Sequence, residues 1–339
     1  MAFLDMGSPK VAVSSTLFQG LNLSEQRPLE IRVGSMSARV PSAEVESESG
    51  EPYSVGADRK VEATLGAGFL QWYQVVIDYQ RKTLTLAPPG SIVPEGIGVP
   101  FRINETTGLI AIDAIIDGKS YAMTVDSGSA YSWVRQTTAQ EWLTTHHSWE
   151  RGVGAVGVSN MMMSGDGAEN SGVLLRIPQI NIGTLRLREA GVLAAGPGKG
   201  MGNSTLFDWY STKNAVPVIG WIGGNVLKHF RLTIDYPHRM LYWVKQTAPD
   251  LHELDQVGLT LRAHAGEFFV SGIATKNGKP TVEAVNAGDR LLQVDQLPLK
   301  GANWGAVYAA LHGSPDDVRM LVLNRAGTQF TVKAKVTAF

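Results

Sequence analysis

Thr124-Val125-Asp126-Ser127-Gly128-Ser129 runs an apolar stretch into an Asp-x-Gly-Ser turn, and near the start of the chain Phe3-Leu4-Asp5-Met6-Gly7-Ser8 does the same. Each is followed downstream by a second repeated segment. Leu65-Gly66-Ala67-Gly68-Phe69-Leu70 leads to Val75-Val76-Ile77-Asp78-Tyr79, and Ile222-Gly223-Gly224-Asn225-Val226-Leu227 leads to Leu232-Thr233-Ile234-Asp235-Tyr236, in gapless alignment. Both copies predict an apolar strand, a glycine turn, a short helix and then a hairpin with period-two alternation. The order of motifs is the same twice over, so the chain is read as two related units, residues 1–90 and 95–246. A segment containing Pro88-Pro89-Gly90 and Pro94-Glu95-Gly96 joins them. The second unit also has a leading hairpin, Leu109 to Val125, turning at Asp117-Gly118. The first has no counterpart, and only four residues precede Asp5, so a shortened chain is expected there.

Composition sets the outer bounds. The 339 residues suffice for two or three domains, and 37 glycines with 18% charged residues favour short strands and many turns. Thirty basic and 31 acidic side chains, with no long run of one sign, leave no phosphate-binding surface, so no nucleic acid is expected as partner. The absence of cysteine excludes disulfides, thiolate metal sites and a Cys nucleophile. No apolar run reaches the length of a membrane span, and Met1-Ala2-Phe3-Leu4-Asp5 does not start an export signal. His146 and His147 are adjacent, which does not place two imidazoles on one face, so they read as a helix end and no metal or cofactor is expected.

With these motifs the chain resembles the pepsin and retropepsin families of aspartic proteases over residues 1 to about 246. An Asp-x-Gly by itself equally marks a capped turn; the repetition with the Leu/Ile-Gly and Ile-Asp-Tyr segments carries the resemblance. It implies two acid-protease β-barrel lobes in a mostly β chain. It also implies a dyad, because two carboxylates about 3 Å apart share one proton, one activating water while the other polarises the scissile carbonyl. Asp5 and Asp126 are the candidates. Gly7 and Gly128 allow the tight turns, Ser8 and Ser129 are placed to support the carboxylates, and Gly66 and Gly223 let the second loop of each lobe pass close by.

One departure from the family pattern concerns catalysis. Ser127 follows Asp126 as the family requires, but Met6 follows Asp5, and a thioether offers no donor to the interlocking network. Two outcomes are therefore open: a peptidase acting on peptides or proteins, or a protease-like fold that binds peptides without cutting them. A homodimer completing the first lobe is a third. The flap expected by resemblance falls on Gly152 to Gly157 leading into Met161-Met162-Met163, with Gly154, Gly157 and Met161 as its marks; a Gly-rich hairpin packing on the lobe is the plainer reading. Glu51-Pro52-Tyr53-Ser54 is a second turn that could approach the cleft. Gly196 to Tyr210 reads as a long surface insertion.

Residues 252–339 resemble the PDZ domains appended to bacterial proteases, on Val257-Gly258-Leu259-Thr260-Leu261, Phe268 to Ile273 and Ala287-Gly288-Asp289-Arg290-Leu291-Leu292-Gln293-Val294. Trp304 to Leu311 reads as an amphipathic helix, and Val318 to Arg325 with Phe330-Thr331-Val332 as closing strands. The resemblance implies a small β-sandwich or barrel with one or two short helices. It assigns Val257, Gly258 and Leu259 to a loop that receives a C-terminal peptide carboxylate, beside a strand edge that accepts the peptide. The alternative is a unit that only packs against the lobes. A periplasmic or secreted address follows from the resemblance alone.

Overall fold

The computed structural model describes residues 1–24, 26–48, 60–154, 167–196 and 204–339. Strand accounts for 47% and helix for 17%, so the chain is mostly β. In the first repeat, strand Ala63–Gly66 enters the single-turn helix Ala67–Leu70 and then the hairpin Gln74–Asp78 and Thr83–Ala87. The second repeat gives strand Gly220–Ile222, helix Gly224–Leu227 and hairpin Phe230–Asp235 with Met240–Lys245. Asp78 and Asp235 close the two hairpins by accepting the amides of Arg81 at 2.9 Å and His238 at 3.4 Å.

The two hairpins pair with each other antiparallel, with Val76 opposite Thr233, Ile77 opposite Leu232 and Val75 opposite Ile234. Val76 and Thr233 occupy the same position in the repeat. Exchanging the two copies therefore reproduces the register, and a pseudo-twofold axis passes between these residues. The axis lies on a sheet widened by strand Ile97–Ile103 beside Met240–Lys245.

The pseudosymmetry extends to the strands bearing the aspartates. Strand Ala2–Asp5 runs parallel to Ala63–Gly66, with Asp5 opposite Gly66; Ala63–Gly66 is antiparallel to Val11–Ser14, which is parallel to Val45–Glu48. The second unit repeats the pattern with Lys119–Val125, Gly220–Ile222, Ser132–Val134 and Leu185–Ala194. There the sheet closes. Strands Val173–Ile182 and Ile110–Ile116 complete a six-stranded ring through Ile115 opposite Asn181 and Ile116 opposite Ile180. The leading hairpin turns at Asp117 and Gly118, both at positive φ as a tight two-residue turn requires. In the first unit the four strands remain an open sheet among the described residues, and the hairpin Leu29–Val33 with Met36–Val40 packs beside them. One apolar core runs through both units, from Met6, Val11 and Leu70 to Ile112, Val125, Leu232 and Trp243.

After residue 246, strands Leu259–His264, Glu267–Ile273, Arg290–Val294, Val318–Arg325 and Thr328–Lys335 form one sheet in that order. Helix Trp304–Leu311 starts at Asn303, whose side chain accepts the Ala306 amide at 2.8 Å. This unit has its own core, Val257, Leu261, Phe268, Val307 and Leu323 among others. A further cluster joins it to the second unit: Leu254, Ala274 and Phe339 pack with Tyr131, Trp133 and Trp221. The small strand Thr275–Lys276 pairs Thr275 with Val153 of the barrel sheet. The stretch read as a surface insertion also differs from expectation. It carries helix Ser204–Lys213, whose Phe207 and Tyr210 pack with tilted rings against Trp221 at 5.1 and 5.4 Å between centroids. Residues 197–203 lie outside the described residues.

Candidate active site

Asp5 ends its strand and Asp126 follows its own directly, with the Asp126 amide donating to Ile222 O at 3.0 Å. Each loop folds its amides onto its own carboxylate. Gly7 N donates to Asp5 Oδ1 at 2.8 Å, while Gly128 N and Ser129 N donate to Asp126 Oδ1 at 2.8 and 3.1 Å. Each carboxyl group reaches across the pseudo-twofold to the glycine of the opposite loop. A methyl group at Gly7 would lie 2.5 Å from Asp126 Cγ, and one at Gly128 2.4 Å from Asp5 Oδ1. Glycine at both positions is thus what lets the lobes bring their carboxyls together.

The second loops buttress the first. A Cβ at Gly66 would meet Lys10 O at 2.1 Å, and one at Gly223 would meet Tyr131 O at 2.2 Å. Just beyond each glycine, Ala67 N donates to Ser8 O at 2.7 Å and Gly224 N to Ser129 O at 2.8 Å. The Ser8 and Ser129 hydroxyls do not point at carboxylate oxygens; they donate to Lys10 O at 3.3 Å and Tyr131 O at 2.8 Å, fastening their own loops. Support for the carboxylates comes from backbone amides instead. Ser127 Oγ crosses between lobes, accepting from Met6 N at 3.0 Å and donating to Leu4 O at 3.1 Å. Met6 is buried in the apolar core and has no hydroxyl to return the contact.

Asp126 is buried and Asp5 half-buried. Burial above all, then the negative charge of Asp5, holds the Asp126 carboxyl well above the usual carboxylate range. Asp5 is raised by burial too, against the opposing hydrogen bonds from Gly7, Asp126 and Ser8. Both carboxyls are thus raised, and they titrate as a pair rather than singly. Two neighbours were not evident as site residues from sequence. Glu48 is raised by burial and then by the charges of Asp5 and Glu46, which puts it in electrostatic reach of Asp5. The Tyr79 phenol is raised by burial and by Asp126, and its hydroxyl has no hydrogen-bond partner among the described residues. Tyr79 lies in the repeated Ile-Asp-Tyr, so the repeat was the available signal; Glu48 had none.

Of the flap candidates, Gly154 follows strand Glu150–Val153 at φ 87°, donating to Gly172 O at 2.7 Å beside Ala274. Gly157 and Met161 lie outside the described residues, as do Glu51 to Ser54. In the C-terminal unit Val257 and Leu259 are fully buried and Gly258 has φ 89°. Two backbone groups of this loop are already engaged: Val257 N donates to Leu311 O at 3.0 Å, and Gly258 O accepts from Ala274 N at 2.7 Å. Strand Leu259–His264 is nevertheless at one end of its sheet. Among the described residues there is no cluster of metal-ligating side chains and no helix long and apolar enough to cross a membrane.

No protein-family model and no curated protein matches the chain. Among solved structures, it is similar to a photosystem II D1 C-terminal processing protease at 22% identity and TM-score 0.23, over 25% of this chain and 23% of that one. The chain thus spans under a quarter of that protein's length. It is also similar to a retropepsin-like aspartic protease from Rickettsia conorii at 15% identity and TM-score 0.29, over 44% of this chain and 92% of that one.

Proposed function

We propose that the chain is an aspartic endopeptidase in which Asp5 and Asp126 activate a water molecule against a peptide bond. The observation supporting this reading is the mutual placement of the carboxyls, each cradled by its own loop's amides and each made possible by the other loop's glycine. Their unequal burial suggests the division of labour. Asp5, the more exposed, enters ionised and takes a proton from water as it attacks the carbonyl carbon, while Asp126 gives its proton to the carbonyl oxygen. As the tetrahedral adduct collapses, Asp5 passes its new proton to the departing amine and Asp126 recovers one from the diol. The cycle closes with no net change in the dyad. In the C-terminal unit, strand Leu259–His264 ends its sheet, and this supports a peptide adding as a further strand along its exposed half from Arg262 to His264.

Asp126→Asn is expected to abolish acid-favoured cleavage of an unfolded protein and binding of a statine-type transition-state mimic. Unaltered cleavage in that variant would sink the mechanism. Met6 supports a second reading, a peptide-binding scaffold without turnover, because only one half of the cross-lobe hydroxyl network exists. Tight binding of peptides by the wild-type chain without any cleavage, across acid and neutral pH, would select that reading.

A further inference from the structure

Tyr131 follows the Asp126 loop, and its side chain leaves the second lobe. Its hydroxyl donates to Glu253 O at 2.5 Å and meets the hydroxyl of Tyr308, on helix Trp304–Leu311 of the C-terminal unit. Tyr308 OH also lies 3.2 Å from Glu253 O. Burial pushes both phenols up, Tyr308 to about 12 and Tyr131 well above its ordinary value, so both stay protonated and the cluster has two O–H donors. One satisfies the Glu253 carbonyl, the other the neighbouring phenol oxygen.

The main-chain side of Tyr131 faces the dyad. Its carbonyl accepts from Ser129 Oγ at 2.8 Å and from Trp221 Nε1 at 2.9 Å, and the Ser129 amide is one of the two that bind Asp126 Oδ1. Fixing the Tyr131 ring therefore fixes the carbonyl, the carbonyl holds Ser129, and Ser129 holds the carboxylate. The first lobe lacks this anchorage. Lys10 stands at the repeat position of Tyr131, is exposed and pairs with Glu46 at 2.9 Å, and the Ser8 hydroxyl bond to its carbonyl is longer, 3.3 Å.

We infer that Tyr308 is a positioning residue for Asp126, acting across the unit boundary through Tyr131 and Ser129, so that the C-terminal unit forms part of the active-site scaffold. The inference rests on the dyad reading, and its test separates the two. The Asp126 carboxyl is followed by carbon NMR against pH in the full chain labelled at aspartate Cγ, with Asp126→Asn assigning the signal. In Tyr308→Phe the Ser129 amide bond slackens, and since that bond lowers the proton affinity of Asp126, its titration midpoint moves up by roughly half a pH unit, a threefold change in affinity. The alkaline limb of kcat/KM moves with it, kcat falls severalfold and KM holds. Asn170→Ala removes a docking contact elsewhere, to Ser271, and leaves the midpoint where it was. An unchanged midpoint in Tyr308→Phe, or an equal shift in Asn170→Ala, overturns the inference. If the wild-type chain cleaves nothing, the hydrolytic reading fails while the Asp126 titration still decides the positioning.

Discussion

The Ser127 hydroxyl of the second lobe accepts the Met6 amide hydrogen of the first at 3.0 Å, and Met6, buried beside it, makes no equivalent return. The lobes are thus tied by one hydroxyl where the pseudosymmetry has room for two. Met6→Thr supplies the second but also loses buried volume, so Met6→Ala is the proper reference. Thr is expected to exceed Ala in unfolding free energy by about 1 to 2 kcal/mol, the worth of two such hydrogen bonds, and to cleave faster. Equal urea midpoints for the two variants would mean that no reciprocal bond forms.

The twofold repeat carrying Asp5 and Asp126 was legible in the sequence because two signals coincided: the same Asp-x-Gly-Ser and the same Leu/Ile-Gly segment recur in the same order, and gapless spacing preserves the pairing of Val76 with Thr233. Helix Trp304–Leu311 was legible from its own periodicity. What escaped was long-range. Tyr131 and Tyr308 meet across 177 positions of chain, and Thr275 joins the barrel beside Val153, contacts that no local pattern encodes. Phe207 and Tyr210 misled because a glycine-rich stretch precedes them, while the partner that buries them, Trp221, belongs to the second repeat.

Glycine at 128 is a steric requirement of the pair, since an added methyl would lie 2.4 Å from Asp5 Oδ1 and 2.5 Å from its Cγ. Gly128→Ala must push the carboxyls apart. A displacement near 1 Å at reacting groups costs on the order of 100-fold in rate, and that is the expected loss in kcat/KM. Gly20→Ala, in helix Ser15–Leu21 with nothing within 4 Å of the new carbon, is the matched control and should cleave at the wild-type rate.

The pH dependence of stability has two opposing parts. Asp126 is raised above 3.8 in the folded chain, chiefly by burial, so its contribution is fully present below that pH and is lost as pH rises through the raised value. Asp126→Asn should flatten this decline in a series of urea midpoints from acid to neutral pH. Asp289 behaves oppositely. The Arg325 fork, 2.7 Å to each oxygen, lowers it below 3.8, so its contribution is present above that pH and disappears as pH falls through the lowered value. Asp289→Asn should therefore be less stable than wild type at neutral pH, with the gap closing in strong acid. A gap that persists in strong acid would assign the loss to packing rather than to the ion pair.

The second lobe and the C-terminal unit should unfold together. Phe339 packs with Leu254 and Ala274 in the cluster that includes Trp133 and Trp221, and a Cβ on Gly152 of the barrel would lie 2.6 Å from its ring. Its amide donates to Asp255 and its main-chain oxygen accepts from Arg176, while Arg176 faces Glu253 at 3.5 Å with both side chains nearly inaccessible. Separating the units would expose this apolar cluster and leave a buried charge without its partner, which is costly on both counts. Phe339→Ala should cost about 3 to 5 kcal/mol, as for other fully buried aromatic side chains. Because the cluster is shared, the loss should appear as faster hydrogen exchange in barrel strand Leu185–Ala194 as well as in Val318–Arg325. Acceleration confined to Val318–Arg325 would show that the C-terminal unit opens alone, and that the cluster fails to couple it to the lobe bearing Asp126.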